Sequence, residues 1–378
     1  MEIPFVFGKL AVDKDFTNRQ EERKRLISNF SKLVNSVILS PPSWGKSSLV
    51  WKAAGEAVKS DKNLRFCFIN AFDMQSEEQF YCTLATEVLK ASANKMRVLN
   101  DHANELLGRY QPKLSFVEDN PNEFTLHLDE KEVKAQPDEI LQLTEKIAAQ
   151  HGLKFILCID EFQHVSTFEN TLLFQKRLRA AWQKYQHTAF CLYGNKYQML
   201  NLIFADSSMP FYKFGDQLYL ERIDQEEWIR FISKRFRDTK KSITKRTAAF
   251  IAALAECHPF YVQQLAQQCW FRTVDSCSAE IVRDAHEGLI DQLSLFFWSK
   301  TGELSGSYIQ FLRALLHGVE QFSSKEVMKE YHLGTSANVV KIKKMLESKE
   351  IIELNGKKII MLDPIYKSWL KSRYFKIN

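Results

Sequence analysis

The residues with the clearest chemical potential are Gly45, Lys46 and Ser47, which stand between the apolar segment Ser36–Leu39 and a helical pattern. A glycine lets the backbone wrap closely around phosphate oxygens, and the amides at a helix N-terminus attract anions. The lysine adds a positive charge, and the serine hydroxyl is a ligand for Mg²⁺. The segment therefore predicts a loop that binds the phosphates of a nucleotide, with contacts from Pro42, Ser43, Trp44, Gly45, Lys46, Ser47 and Ser48.

A second chemical signal is the apolar segment 155–159, which ends in Asp160 and Glu161. Asp160 is placed to hold Mg²⁺ through water, together with Ser47. Glu161 is placed to orient and polarise an attacking water molecule. The two signals together predict hydrolysis of a nucleoside triphosphate, with Lys46 and Glu161 as catalytic residues.

A third apolar segment, Ala189–Tyr193, ends in Gly194 and Asn195. We expect Asn195 to contact the γ-phosphate or the lytic water, and thus to be catalytic. A plain Gly-Asn turn is the alternative interpretation.

The pattern of elements gives the architecture that positions these residues. Apolar strands alternate with amphipathic helices up to residue 223, which predicts an α/β core with a mostly parallel sheet. Segment 94–140 departs from this pattern and predicts an inserted β-hairpin. Residues 224–304 are predicted to form a separate helical subdomain, residues 301–307 a linker, and residues 305–378 three helices and a hairpin around Asn355-Gly356, which is the order of a winged helix-turn-helix.

Taken together, the motifs resemble those of the archaeal-type ATPase family, which is related to AAA+ and STAND proteins. The resemblance covers almost the whole chain and rests on segments 16–22, 45–47, 159–163, 192–195, 209–223, 258–261 and 362–366. It implies an AAA+-like P-loop core, a helical lid, a winged helix, and ATP and Mg²⁺ as ligands. It further implies that Asn18 and Arg19 flank the adenine and that His258 and Pro259 lie near the nucleotide.

The chain departs from the family pattern at three points, one of which is Cys257 or its immediate neighbour, where a glycine is common two positions before the lid proline. Ser40 stands where the first glycine of the phosphate loop is usual, and no arginine lies in segment 211–215 after the third apolar strand. Arg222 is the nearest substitute. We therefore expect secure nucleotide binding and slow turnover.

Charge and composition bear on partners and compartment. The net charge of +6 lies entirely in residues 305–378, which hold 13 basic and 7 acidic residues. This asymmetry indicates a surface for nucleic acid or another acidic partner, and a solvated surface with spare lysines is the alternative. Contact with duplex DNA through the winged helix would involve five lysines: Lys341, Lys343, Lys344, Lys357 and Lys358. Seven cysteines without a C-x-x-C pair indicate free thiols, and the absence of a long apolar segment favours a cytoplasmic protein without membrane contact.

Three functions follow from these patterns. The first is an ATPase that acts as a nucleotide-controlled switch, with hydrolysis coupled to movement of the lid and winged helix. The second is a DNA-binding regulator in which ATP is mainly a structural ligand. The third is a STAND-like switch whose winged helix binds an unidentified protein, and GTP is not excluded as the nucleotide.

Overall fold

The computed structural model describes residues 3–92, 105–117, 120–356 and 358–377. The chain divides into two compact units. One unit comprises Arg19–Pro42 and Lys46–Glu221, and the other comprises Met1–Asn18, Ser43–Gly45 and Arg222–Asn378. We call them the sheet unit and the C-terminal unit.

The sheet unit is built around a five-stranded parallel sheet in the order β2-β5-β6-β1-β7. Its strands are β1 Ser36–Leu39, β2 Leu64–Asn70, β5 Lys154–Asp160, β6 Thr188–Tyr193 and β7 Asp216–Tyr219. The helices described in this unit are α1 Gln20–Ser31, α2 Lys46–Ser60, α3 Glu77–Ser92, α4 Glu130–Ala135, α5 Pro137–His151, α6 Thr171–Trp182 and α7 Tyr197–Ala205. The predicted α/β class and parallel sheet are confirmed.

The central strands are apolar because both faces of a parallel sheet are covered by helices. All four residues of β1 and all six of β6 are buried. In the parallel register, Asn70 at the end of β2 lies beside Asp160 at the end of β5. Polar residues that follow these strands therefore emerge at one edge of the sheet.

The predicted inserted hairpin is present as β3 Lys113–Val117 and β4 Asn120–His127, which pair antiparallel. Asp119, which the sequence places in its turn, lies outside the described residues. Strand β7 was not predicted, since Asp216–Tyr219 is a short edge strand with only one buried residue.

The C-terminal unit is mainly helical and has a shared apolar core. Its helices are α8 Gln225–Asp238, α9 Lys245–Leu254, α10 Pro259–Arg272, α11 Ala279–Gly302, α12 Gly306–Leu316, α13 Lys325–Glu330, α14 Ser336–Ser348 and α15 Pro364–Trp369. The expected wing is the hairpin β10 Ile352–Asn355 and β11 Lys358–Met361. The lid segment is not wholly helical, because β8 Ser242–Ile243 and β9 Ser276–Cys277 pair within it.

The predicted linker at residues 301–307 is wrong for most of its length. Helix α11 continues to Gly302, and α12 begins at Gly306. Thr301 is 1% exposed, and its hydroxyl hydrogen-bonds the Tyr366 hydroxyl at 2.8 Å. Small polar residues are typical of linkers, but the Thr301 hydroxyl donates to the Phe297 carbonyl four residues earlier, which is a bond that a threonine makes inside a helix.

Candidate nucleotide and hydrolysis site

The loop after β1 combines two left-handed residues with the start of a helix. Ser43 has φ +60° and Gly45 has φ +87°, while α2 begins at Lys46. A left-handed conformation is natural for Gly45 but costs energy at Ser43. The turn ends at a helix N-terminus, where unpaired backbone amides attract phosphate.

Lys46 is only 3% exposed, and its ammonium group is held by the preceding loop. Its Nζ donates to the Pro41 carbonyl at 2.9 Å and to the Ser40 carbonyl and hydroxyl, each at 3.2 Å. Ser40 is not among the left-handed residues, so a side chain fits there without backbone strain. The serine at the usual glycine position therefore adds an oxygen ligand for Lys46 and does not distort the loop.

Ser47 and Asp160 come together from segments far apart in sequence. The Ser47 hydroxyl donates to Asp160 Oδ2 at 2.7 Å, and the Glu161 amide donates to Asp160 Oδ1 at 2.8 Å. Burial raises the pKa of the Asp160 carboxyl, despite the hydrogen bond from Ser47 that lowers it. A half-buried carboxylate beside a hydroxyl is a donor set that suits Mg²⁺.

No cluster of three or more His, Cys, Asp and Glu side chains suited to a metal occurs in the described part of the chain. A magnesium ion at Ser47 and Asp160 would take its other ligands from water and phosphate, as is usual for this metal.

Glu161 lies at the end of β5 in a left-handed conformation, with φ +54°. One of its carboxylate oxygens accepts a hydrogen bond from Gln163 Nε2, and the other accepts one from Asn195 Nδ2. The structure thus brings the predicted Asn195 to the predicted Glu161. Both carboxylate oxygens are oriented by amide groups.

Gln163 is a site residue to which the sequence analysis gave no role. It is 1% exposed and lies in the 3₁₀ turn Phe162–Thr167 directly after Glu161. Its position two residues after the acidic end of a strand could have indicated a role near Glu161. Only the geometry of the turn shows that the Gln163 amide reaches back to the Glu161 carboxylate.

Gly194 lies against these residues and leaves no room for a side chain. A Cβ atom at this position would be 2.0 Å from Gln163 Oε1 and 3.1 Å from Glu161 Cα. The glycine lets β6 end in contact with the Glu161 turn.

The residues expected near the adenine and in the lid have distinct settings. Asn18 and Arg19 are left-handed, with φ +55° and +62°, and Arg19 is 5% exposed and donates to Glu22 at 3.0 Å. His258 and Pro259 begin α10. Their contact with a nucleotide stays a prediction.

His258 is buried in the C-terminal unit, and burial lowers its pKa to about 3. Its ring centroid is 6.2 Å from that of Trp44, which belongs to the same unit. Among the described residues, Nδ1 of His258 has no hydrogen-bond partner. An imidazole in this setting is neutral at pH 7.

The candidate DNA-contacting lysines lie in the winged-helix segment. Lys341 and Lys344 are exposed on α14, and Lys358 is exposed on β11. Lys343 is half-buried, with Nζ 5.3 Å from the centre of the Phe322 ring. Lys357 lies outside the described residues.

Among the helices that the structure describes, none has the length and apolarity to cross a membrane.

Neither a protein-family model nor a curated protein matches the chain. Solved structures do match over nearly the full length.

One is the Walker-type ATPase PABY2304 of Pyrococcus abyssi, with 15% identity, TM-score 0.68 and coverage of 97% of this chain and 99% of that chain. A second is the ORC2 protein of Aeropyrum pernix in ADPNP and ADP complexes, with 13% identity, TM-score 0.60 and 98% coverage of both chains. A third is the A. pernix ORC1 protein in complex with DNA, with 12% identity, TM-score 0.51 and coverage of 100% and 99%.

The resemblance inferred from the sequence is confirmed, and at these identities it concerns the fold. The sheet order, the loop before α2 and the C-terminal hairpin all agree with it. The chain has the fold of the Walker-type, AAA+-like P-loop ATPases, with a winged helix at its C-terminal end.

Proposed function

We propose that the protein binds ATP with Mg²⁺ and hydrolyses it slowly, as a nucleotide-controlled switch. The observation that carries this proposal is the 2.7 Å hydrogen bond between Ser47 and Asp160, which are separated by 113 positions in the chain. It joins the end of the phosphate loop to the acidic end of β5. In P-loop NTPases the hydroxyl at the end of the phosphate loop and a carboxylate at a strand end together hold the Mg²⁺ of the nucleotide.

In the proposed reaction, water attacks the γ-phosphate in line with the leaving ADP oxygen. Lys46 exchanges its loop carbonyl ligands for phosphate oxygens and offsets their charge. Ser47 and Asp160 would hold Mg²⁺, which would supply further neutralisation of the phosphate oxygens.

Glu161 orients the water molecule and accepts its proton. Gln163 and Asn195 keep the Glu161 carboxylate in one orientation, and Asn195 also senses the γ-phosphate. Arg222 is ion-paired with Glu256 at 3.1 Å. Segment 211–215 has no arginine, and Arg222 is the nearest substitute. Because Arg222 is already paired with Glu256, we expect turnover to be slow.

The switch is supported by the way in which the lid and winged-helix segments pack together. Tyr261 of α10 donates to Asp363 at 2.7 Å, directly before α15. Trp369 of α15 donates to Ser294 of α11 at 2.6 Å. Because the two segments share partly buried polar contacts and one apolar core, a nucleotide-dependent movement of the lid would carry the winged helix with it.

The proposal is tested by comparing wild type with Lys46→Ala for Mg²⁺-dependent phosphate release from ATP and from GTP. Lys52→Ala is the matched control, since Lys52 lies on the same helix and pairs with Glu56 at 4.0 Å. We expect Lys46→Ala alone to lose nucleotide binding and phosphate release. Equal release by wild type and Lys46→Ala would contradict the proposal.

A second candidate function is DNA binding through the winged helix, with ATP mainly a structural ligand. Lys341 and Lys344 are exposed, the positive charge is concentrated in residues 305–378, and the structurally similar ORC1 protein was solved with DNA. A steep salt dependence of duplex binding would support it. No duplex binding, with a protein that copurifies only with nucleotide-competent chain, would support the STAND-like alternative.

A further inference from the structure

The carboxylate of Glu256 is held by two cations from distant segments of the C-terminal unit. Lys367 Nζ of α15 lies 2.6 Å from one oxygen, and Arg222 Nη1 lies 3.1 Å from the other. Arg222 Nη1 also donates to the Glu256 carbonyl at 2.8 Å. These two cations hold the pKa of Glu256 below its usual value although burial raises it, so the carboxylate is ionised at neutral pH.

Glu256 lies in a strained turn between α9 and α10. Glu256 and Cys257 are consecutive left-handed residues, with φ +46° and +58°, and neither is a glycine. Such a conformation persists only where its surroundings hold it. The Glu256 and Cys257 amides donate to carbonyls at the end of α9 at 3.0 and 2.8 Å. The turn is also held by the Arg222 bond to the Glu256 carbonyl and by a hydrogen bond from Trp228 Nε1 to the Cys257 carbonyl at 3.3 Å.

The same arginine contacts Trp44, which lies between the left-handed residues Ser43 and Gly45. The Arg222 guanidinium carbon is 6.0 Å from the centre of the Trp44 ring, within the range of a cation–π interaction. Trp44 is 5% exposed, and its other ring neighbour is His258, at the start of α10. Trp44 is therefore flanked in sequence by residues of the phosphate loop, and it contacts Arg222 and His258 beside the Glu256 turn.

The ion pairs are suited to change partners. Arg222, Glu256 and Lys367 are 28%, 25% and 37% exposed, so none would be left as a fully buried unpaired charge when a bond breaks. Glu353 on the wing strand β10 is close enough to Arg222 for its pKa to be lowered by that charge, against a larger increase from burial. Arg222 therefore has a second carboxylate within electrostatic reach.

We propose that Arg222, Glu256 and Lys367 form a relay that transmits the state of the Trp44 loop to helix α15 of the winged helix. The proposal rests on the proposed nucleotide binding by residues 42–48. A nucleotide that reorders the backbone around Trp44 changes the Trp44–Arg222 contact. Arg222 then shifts its bonding to the Glu256 turn, and Lys367 carries the change to α15.

The test uses hydrogen–deuterium exchange of the full chain, measured without nucleotide, with Mg·ADP and with the Mg²⁺ complex of a non-hydrolysable ATP analogue. In wild type we expect segment 352–369 to exchange at different rates in these states. Lys367→Met keeps the length of the side chain and removes its charge, so the difference should be lost in that segment while nucleotide affinity is unchanged. Lys367→Arg keeps the ion pair and should keep the difference.

Lys371→Met is the matched control, because Lys371 is an exposed lysine two residues after the end of α15. It should behave as wild type. A nucleotide-dependent difference that survives in Lys367→Met would overturn the relay.

A nucleotide-binding titration of the wild type distinguishes failure of the relay from failure of the proposed nucleotide binding. Nucleotide binding by wild type without any exchange difference in 352–369 overturns the relay and leaves the proposed ATPase intact. Absence of nucleotide binding by wild type removes the proposed function, and the relay with it.

Discussion

Gly194→Ala is the most informative single substitution near the site. The added Cβ would lie 2.0 Å from Gln163 Oε1, 3.0 Å from Gln163 Cδ and 3.1 Å from the Glu161 backbone. Gln163 is 1% exposed and has little free space, so its amide must move away from Glu161. Overpacking of this kind costs about 1–3 kcal/mol of stability, and a catalytic group displaced by about 1 Å loses about 10²-fold in rate.

We therefore expect Gly194→Ala to reduce phosphate release by about 10²-fold with ATP affinity retained, because Lys46 and Ser47 are untouched. A phosphate-release assay measures the turnover rate, nucleotide titration measures ATP affinity, and urea unfolding measures stability. Gly55→Ala is the control: a Cβ at this exposed position of α2 meets nothing within 4 Å. It should leave turnover unchanged and stabilise the protein by about 0.5–1 kcal/mol.

A double-mutant cycle with Gln163→Ala identifies the obstacle. If the Gln163 side chain causes the clash, Gly194→Ala should cost less stability in the Gln163→Ala background, with a coupling of about 0.5–3 kcal/mol. Wild-type turnover in Gly194→Ala, or fully additive stability effects, would refute the proposed positioning of Glu161.

Three further predictions concern other parts of the molecule. Burial raises the pKa of Asp160, so ionisation of this carboxyl lowers the stability of the folded protein as the pH rises through and above the usual carboxyl range. Asp160→Asn should therefore raise the melting temperature measured without nucleotide at pH 7 and abolish Mg²⁺-dependent nucleotide affinity. A lower melting temperature would contradict this expectation. Asp363 caps α15 through the amides of Ile365 and Tyr366 and accepts from Tyr261, so Asp363→Ala should cost at least about 2 kcal/mol in urea unfolding, and an unchanged midpoint would remove its structural role. If the winged helix binds duplex DNA, replacing Lys341 and Lys344 by Gln should reduce the slope of log affinity against log salt by about 2, and an unchanged slope would exclude these two lysines from phosphate contact.

The parts of the fold that the sequence predicts are those determined by local pattern. Strands β5 and β6 are continuously apolar because both their faces are covered, and the Asn355-Gly356 turn specifies the wing hairpin. The edge strand β7 lacks such a pattern, since only Leu218 is buried. It forms because β1 offers a partner at the edge of the sheet.

The site residues that the sequence predicts are likewise those that belong to local motifs. Lys46, Ser47, Asp160 and Glu161 follow from residue types at the junctions of strands, loops and helices. The role of Gln163 depends on a 3₁₀ turn that bends the chain back on Glu161, and no residue periodicity encodes such a turn.

Long-range ion pairs outside the chemical motifs could not be predicted from the sequence. Glu256 and Lys367 are separated by 111 positions, and a charged residue on a single sequence gives no indication of its partner. The ion-pair relay is therefore a property of the tertiary structure alone.

The proposed hydrolysis depends most directly on Glu161. We would measure Mg²⁺-dependent phosphate release from ATP by wild type and by Glu161→Gln, with ATP affinity determined for both proteins. The amide keeps the size of the side chain but cannot accept a proton, so release should be abolished while ATP binding persists. Binding without release in the wild type, or equal release in both proteins, would contradict the assignment of Glu161 as the residue that activates water.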